Sequence, residues 1–476
     1  MSMRISRIKL SVFWRFLASA MFFLLAASCT LTPVEPTPVV DPGATLHLYL
    51  QPLPQEVRSL SLRIATLNAV RTDGEEFPLL ANTLELNPAQ RISRQTKLLS
   101  RQLPPGDYLG ISLLIDQAAQ ASEEGPIALL TETEAKLLKN PFQVRADQAT
   151  PLFLSLSSDR LVTDGYRLTA KFSLWSGQPP LTELKGLVSH PTTGSLSFFE
   201  KKTPLIFSVL ALGQQPTGLA LDQAGRRAYV SLSGEDAIVA IDLVRQQVER
   251  KIRLRPGDRP QRLSLSDRGQ RLLVSLPGGN AVSIVDTQLF RELQRVHFIT
   301  RPAEVISAAN SQRAYVLLPE TNGIALIDAE RGSIDASVSL PETPTFGSLS
   351  SDGKTLFLLT ETSPDLLLLD SQSLQLRGRV FVGYGATCLA TAANGLLYVG
   401  MQSGVVQVID PRVELAIDQF PVGGAVRDLI QDRQENSLFV LTNRQQLEKY
   451  DLISKRRQAT LELGMDGFEA TLMGEQ

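Results

Sequence analysis

Glu200, Asp242, Asp286, Asp328, Asp370, Asp410 and Asp451 recur at steps of 40 to 44 residues, each closing an apolar run. Seven carboxylates could bind cations, or each could accept backbone N–H groups in its own turn. The spacing favours turns, because a metal or catalytic motif is normally written once and a stacked structural unit many times. Imidazole and thiol are scarce. His47, His190 and His297 fall in separate predicted strands and are expected far apart, as surface or turn residues, so they form no zinc set. Neither a CxxCH haem motif nor a GxSxG nucleophile elbow occurs. Cys388, in GATCLATA, reads as a buried and inert thiol. No catalytic residue, metal site or cofactor is expected.

The acids share their period with a second landmark. The tetrapeptides LVSH, YVSL, LVSL, YVLL, FLLT, YVGM and FVLT begin at 187, 229, 273, 315, 357, 398 and 439. One period reads as four strands, PTGLALD, RRAYVSL, AIVAID and QQVERKIRL, joined by polar or Gly-bearing turns such as SGED, PGGN and SSDG. Four strands in about 40 to 45 residues make a β-propeller blade. The tail GFEATLMGEQ supplies one first strand, and KGLVSH, GSLSFFE and PLIFSVLAL supply the other three. The expectation is therefore a seven-bladed propeller over 179–476, closed by the C-terminal strand so that no sheet edge is left free.

SSDGKTLFLLT and NAVSIVD resemble the repeats of YVTN-family propellers, though the fourth letter of the tetrapeptide varies and two blades lack the leading proline. The resemblance covers about 290 residues and implies that ligands are held at one end of the central channel. Loops expected there are RPGDRP (255–260), GEDA, PETNG (319–323) and TETSPD. Along the first strands, Arg262, Glu304 and Asp428 occupy matched positions, with Arg427 adjacent. These four are the candidate contacts for a polar ligand or partner. The alternative is that they pair with one another and close the channel.

The N-terminal half begins differently. Arg4, Arg7, Lys9 and Arg15 precede the apolar run FLASAMFFLLAA (16–27), which is too short to span a membrane comfortably and reads as a secretory signal. LLAASC resembles the lipobox of bacterial lipoproteins, with Ala26 where Leu is more usual. That resemblance implies removal of 1–28 and lipidation of Cys29. Because Thr30 follows rather than Asp, it also implies sorting to the outer membrane, on its periplasmic or outer face. An ordinary signal peptide with Cys29 incidental is the alternative. Pro33, Pro36, Pro38 and Pro42 mark 29–44 as a semi-rigid tether.

Residues 45–178 carry short alternating strands, such as LHLYL and SLSLRIATL, and one stretch with helical character, Thr131 to Lys139. The fold class is thus all-β, an N-terminal β-sandwich followed by the propeller; the LPPGDY turn and FQVRADQATPLFLSL resemble Ig-like sandwich modules at the front of bacterial lipoproteins, which implies an Ig-like sandwich. The net charge of −2 offers no footprint for nucleic acid. The expected function is a non-enzymatic binding or scaffolding module of the cell envelope. It would be attached to the membrane through its lipid anchor and offer the propeller to a protein or glycan. Cell-wall association or an enzyme with a channel site, lactonase-like or quinoprotein-like, are the other readings.

Overall fold

The computed structural model describes residues 45–53, 57, 59–87, 94–123, 125–146, 149–157, 161–176, 184–266, 269–308 and 311–474. The expected signal, lipidation site and tether all lie outside them. Six antiparallel four-stranded sheets follow one another at 216–253, 263–297, 304–339, 344–381, 386–421 and 426–462. A seventh is assembled from Lys185–His190, Ser195–Glu200 and Leu205–Ala211, with Ala470–Leu472 pairing as its innermost strand. Val188 pairs with Ala470 and Gly186 with Leu472. Met473 N–H donates to Lys185 O at 2.9 Å, extending the closure. The architecture is a β-propeller.

The repeated tetrapeptide explains the stacking. Side chains alternate across a strand, so neighbouring letters face opposite blades. Tyr229 packs against the second blade with Leu263 and Leu272, while Val230 packs against the seventh with Leu187 and Phe198. Each further junction has its own cluster, and the last joins Phe439 and Leu461 to Val188 and Phe199. Second and third strands, covered on both faces, are buried almost throughout. The outer strand Gln247–Arg253 buries only Ile252 and, apart from exposed Val248, is otherwise charged or polar. Two serines at the third letter tie blades together: Ser189 Oγ donates to Thr217 O, and Ser231 Oγ to Gln261 O, both at 2.6 Å.

The repeated acids act as turn acceptors. Asp242 Oδ1 accepts from the N–H groups of Val244 and Arg245, and Asp286, Asp328 and Asp370 repeat the pattern.

Upstream lie a four-stranded sheet containing Thr45–Leu50 and Thr150–Leu156, and a six-stranded sheet built on Leu60–Arg71 and Gly106–Ser122. Most of their buried apolar residues form one hydrophobic cluster. The helical expectation for Thr131 to Lys139 fails: Lys136–Val144 is a strand paired with Gly106–Ser122. So short a helix is marginal in water, and pairing lets Leu138, Phe142 and Val144 face the core. Tyr49 and Phe153 pack into the propeller's closing cluster. Gln95 also bonds the backbone of Ile206 in both directions, at 2.8 and 3.0 Å.

Candidate functional site

Strand register places one residue from each blade at the same level of the channel, just before the partners of Val230, Val274, Val316, Leu358, Val399, Val440 and Val188. The seven are Gly218, Arg262, Glu304, Phe346, Cys388, Asp428 and Glu469. Gly218 carries no side chain for a local reason. Its N–H donates to Gln261 O at 2.9 Å, and a Cβ there would sit 2.1 Å from that oxygen.

Arg262 is the hub. Its Nη1 donates to Glu469 Oε2 at 2.9 Å, Nε lies 3.7 Å from Glu304 Oε2, and the guanidinium stands 4.9 Å over the Phe468 ring. Asp428 is held separately, accepting from Leu429 N and Ala470 N at 2.9 Å each. Exposed Arg427 turns toward Gly467 O at 3.4 Å rather than into the ring. Of the four residues expected at the mouth, the structure thus joins Arg262 and Glu304 in an ion pair and places Asp428 on the same tier. Glu469 and Phe468 escaped the sequence reading, although the signal was present. GFEATLMGEQ is itself a first strand, and aligning it with VRDLIQD puts Glu469 opposite Asp428.

Three carboxyls surround one guanidinium, so full ionisation would leave the ring with two uncompensated negative charges. Burial raises the pKa of Glu304 to about 7, with Arg262 opposing the shift and Glu469 adding to it. Burial likewise raises Asp428 and Glu469, and the charge of Glu469 discourages that of Asp428. For Arg262 burial works against the charge, but Glu304, Glu469 and Asp428 outweigh it, and the guanidinium is held more firmly protonated than usual. Arg262, Glu304 and Glu469 keep 25, 14 and 19 % of their side-chain accessibility, so the ring is a wet pit rather than a sealed core. Cys388 lies on the same level, fully buried; burial first, then Asp428, push its thiol pKa up and leave it unreactive.

Arg262→Met should cost about 2 kcal/mol near pH 8, the scale of stranding partly buried charges. Without the guanidinium the native carboxyls hold protons more tightly, so the loss should shrink toward pH 5. Urea midpoints across pH check this, and a loss independent of pH would refute the charge argument.

The loops around the pit are rigid on one side. Asp258, in RPGDRP, forms a buried two-pronged pair with Arg295 at 2.6 and 2.9 Å, and Asp236 accepts from Gly257 N and Arg259 N at 2.7 Å each. On the strand-connecting loops preceding Glu304 and Cys388, Ile299 and Tyr384 are 95 and 73 % exposed.

The histidines require a correction. His47 and His190 were expected far apart, yet the charge of His190 would be felt by His47, and Lys97 acts on both. Packing of the N-terminal sheet against the seventh blade brings them together, a long-range contact that strand-by-strand reading cannot supply. His297 is exposed on the outer strand Arg291–His297. Among the described residues, no group of three or more His, Cys, Asp or Glu is arranged to hold a metal ion.

No protein-family model and no curated protein sequence matches the chain. Similar solved structures include a functionally unknown protein from Desulfotomaculum acetoxidans, with TM-score 0.54 and 14 % identity over 61 % of this chain and 99 % of that one. Hydrazine synthase of Kuenenia stuttgartiensis follows at TM-score 0.49, with 15 % identity over 60 % of this chain and 94 % of that one. The dihydro-heme d1 dehydrogenase NirN gives 0.49, with 13 % identity over 63 and 77 %. At such identities the first likeness bears on fold alone, and the other two carry no argument.

Proposed function

We propose that the chain is an exported lipoprotein of the bacterial outer membrane. Cys29 would be its anchor, 29–44 its tether, 45–178 an Ig-like sandwich and 179–476 a YVTN-like propeller acting as a non-enzymatic binding module. The observation that carries the binding role is the ring of Arg262, Glu304, Asp428 and Glu469. Its charges do not balance internally, and it lies near loops that expose Ile299 and Tyr384. A polar pit beside isolated apolar anchors suits a protein partner that inserts a cationic side chain and packs on the rim.

The test is gentle solubilisation of native membranes, capture through a C-terminal tag and mass spectrometry of co-purifying proteins. The unaltered protein should retain a stoichiometric partner in moderate salt. The double variant Ile299→Asp, Tyr384→Ala, altered only at exposed positions, should lose it, and Cys29→Ala should leave the membrane fraction. An empty capture, or a partner indifferent to the rim variant, overturns the reading.

One observation favours a second reading, a propeller enzyme. Glu304, with its pKa near 7, is poised for proton transfer at physiological pH. A stoichiometric metal ion in the purified protein would favour that reading.

A further inference from the structure

The two ends of the first strands are filled differently. Beyond the charged ring, the side where the propeller closes is occupied by Asp432, Met473, Lys201 and Gln434, which bond one another. At the same level the third, fourth and fifth blades present only Ala308, Ser350 and Ala392. Small side chains there leave a cavity of about 600 Å³, bordered by Ser307, Ala308, Arg313, Asp352, Gln372 and Thr391 among others. That volume lies within the range of small-molecule sites.

Three features show what such a cavity would hold. The first is Arg313, which opens the second strand of its blade. The equivalent Arg227 is engaged twice by Glu249 at 2.7 and 2.8 Å, and the equivalent Arg271 by Asp286 at 2.9 Å. Arg313 has no carboxylate partner among the described residues, although Asp328 is its register partner. A guanidinium fork is thereby left available on the cavity wall. The second is Gln372, whose exposed side chain lines the cavity and whose amide can both donate and accept. The third is the lining itself, which is rich in hydroxyl and amide groups. Its formal charges are Arg313, Arg433 and Asp352, and Asp352 is kept ionised by bonds from Ser350 Oγ and Lys354 N.

We propose that this cavity binds a carboxylate-bearing sugar, its single negative charge on Arg313 and its hydroxyls on Gln372. A phosphate ion would fill little of the space and would find no lysine in the lining. An apolar ligand would leave the hydroxyls unpaired. The site is separate from the charged ring and does not depend on a protein partner at the mouth.

Calorimetric titration of the purified full-length protein with glucuronate, glucose and inorganic phosphate tests this. Glucuronate should bind saturably, with glucose and phosphate each at least about tenfold weaker, since a two-pronged charged contact is lost or misfitted. Arg313→Ala, at an exposed position, should weaken glucuronate about tenfold with an unchanged melting profile, and Arg313→Lys should restore only part. Gln372→Leu should weaken both sugars together. Glu304→Gln, in the ring at the far end, should change nothing, which keeps this test distinct from that of the mouth. Absence of saturable glucuronate binding, equal binding of phosphate, or an Arg313→Ala variant that binds normally would each overturn the proposal.

Discussion

Asp432→Ala is expected to lower the stability of the propeller by about 3–5 kcal/mol, the range for removing one partner from a buried ion pair. Asp432 and Lys201 expose 0 and 1 % of their side chains, with Nζ 3.4 Å from Oδ1. Lys201 also donates to Met473 O at 2.9 Å and Gln434 Oε1 at 3.1 Å, so one ammonium ties three segments together. These are the last turn of the seventh blade, the end of a first strand in the sixth, and the tail of the closing strand. Without Asp432, Lys201 would keep two neutral acceptors and no counter-charge in a place that water does not reach. Lys201→Met should cost a similar amount by stranding the carboxylate, whose Oδ2 already lacks a partner.

The double variant separates the pair from its surroundings. Asp432→Ala with Lys201→Met removes both charges together and should recover most of either single loss. Urea unfolding at pH 7, with the slope unchanged and the midpoint shifted, is the measurement. Single variants within about 1 kcal/mol of the parent would mean that the ammonium reaches water, and the ion pair would then have no part in holding the ring closed.

This lock shows where sequence reading stops. The blades are legible because each must bury two faces, which forces Tyr229, Tyr315 and Phe357 into one position and their turn acids into another. Arg262, Glu304 and Asp428 are legible for the same reason, since matched positions in a repeat share a level of the channel. Even Glu469 is readable once the tail is aligned as a first strand. Lys201 and Asp432 are not, because Lys201 departs from the repeat in its own blade and their meeting depends on how the circle closes. The strand Lys136–Val144 was misread because its local pattern suits a short helix. A paired neighbour, Gly106–Ser122, decides otherwise. His47 and His190 come together only through the packing of a separate sheet.

That packing should make the molecule acid-sensitive. His47 Nδ1 lies 2.9 Å from Ser100 Oγ; His190 Nδ1 lies 3.0 Å from Asp466 O, and its Nε2 2.9 Å from Ser197 Oγ. Burial lowers the pKa of His190 to about 4, with Asp466 opposing and Lys97 assisting, and burial, Lys97 and His190 together hold His47 well below its usual value. Burial alone lowers Lys97 to about 8. Both histidines are therefore neutral in the folded protein and titrate near 6.5 when it unfolds. Groups whose native pKa is lowered in this way stabilise the fold above pH 6.5 and withdraw that support as pH falls toward 4. For His190 the shift corresponds to roughly 3 kcal/mol over that interval. Lys97 acts at the other end: its penalty is present below pH 8 and is relieved as pH rises toward 10.5. The carboxyls of the channel ring, raised rather than lowered, push the opposite way between about pH 4 and 7, so the two effects must be separated by substitution. Urea midpoints measured from pH 4 to 10 should show the acidic loss flattened in His190→Gln, and Lys97→Met should be more stable than the parent at pH 7. If His190→Gln keeps the full acidic slope, the histidine pair is not the sensor, and protonation at acid pH must act on the fold through another group.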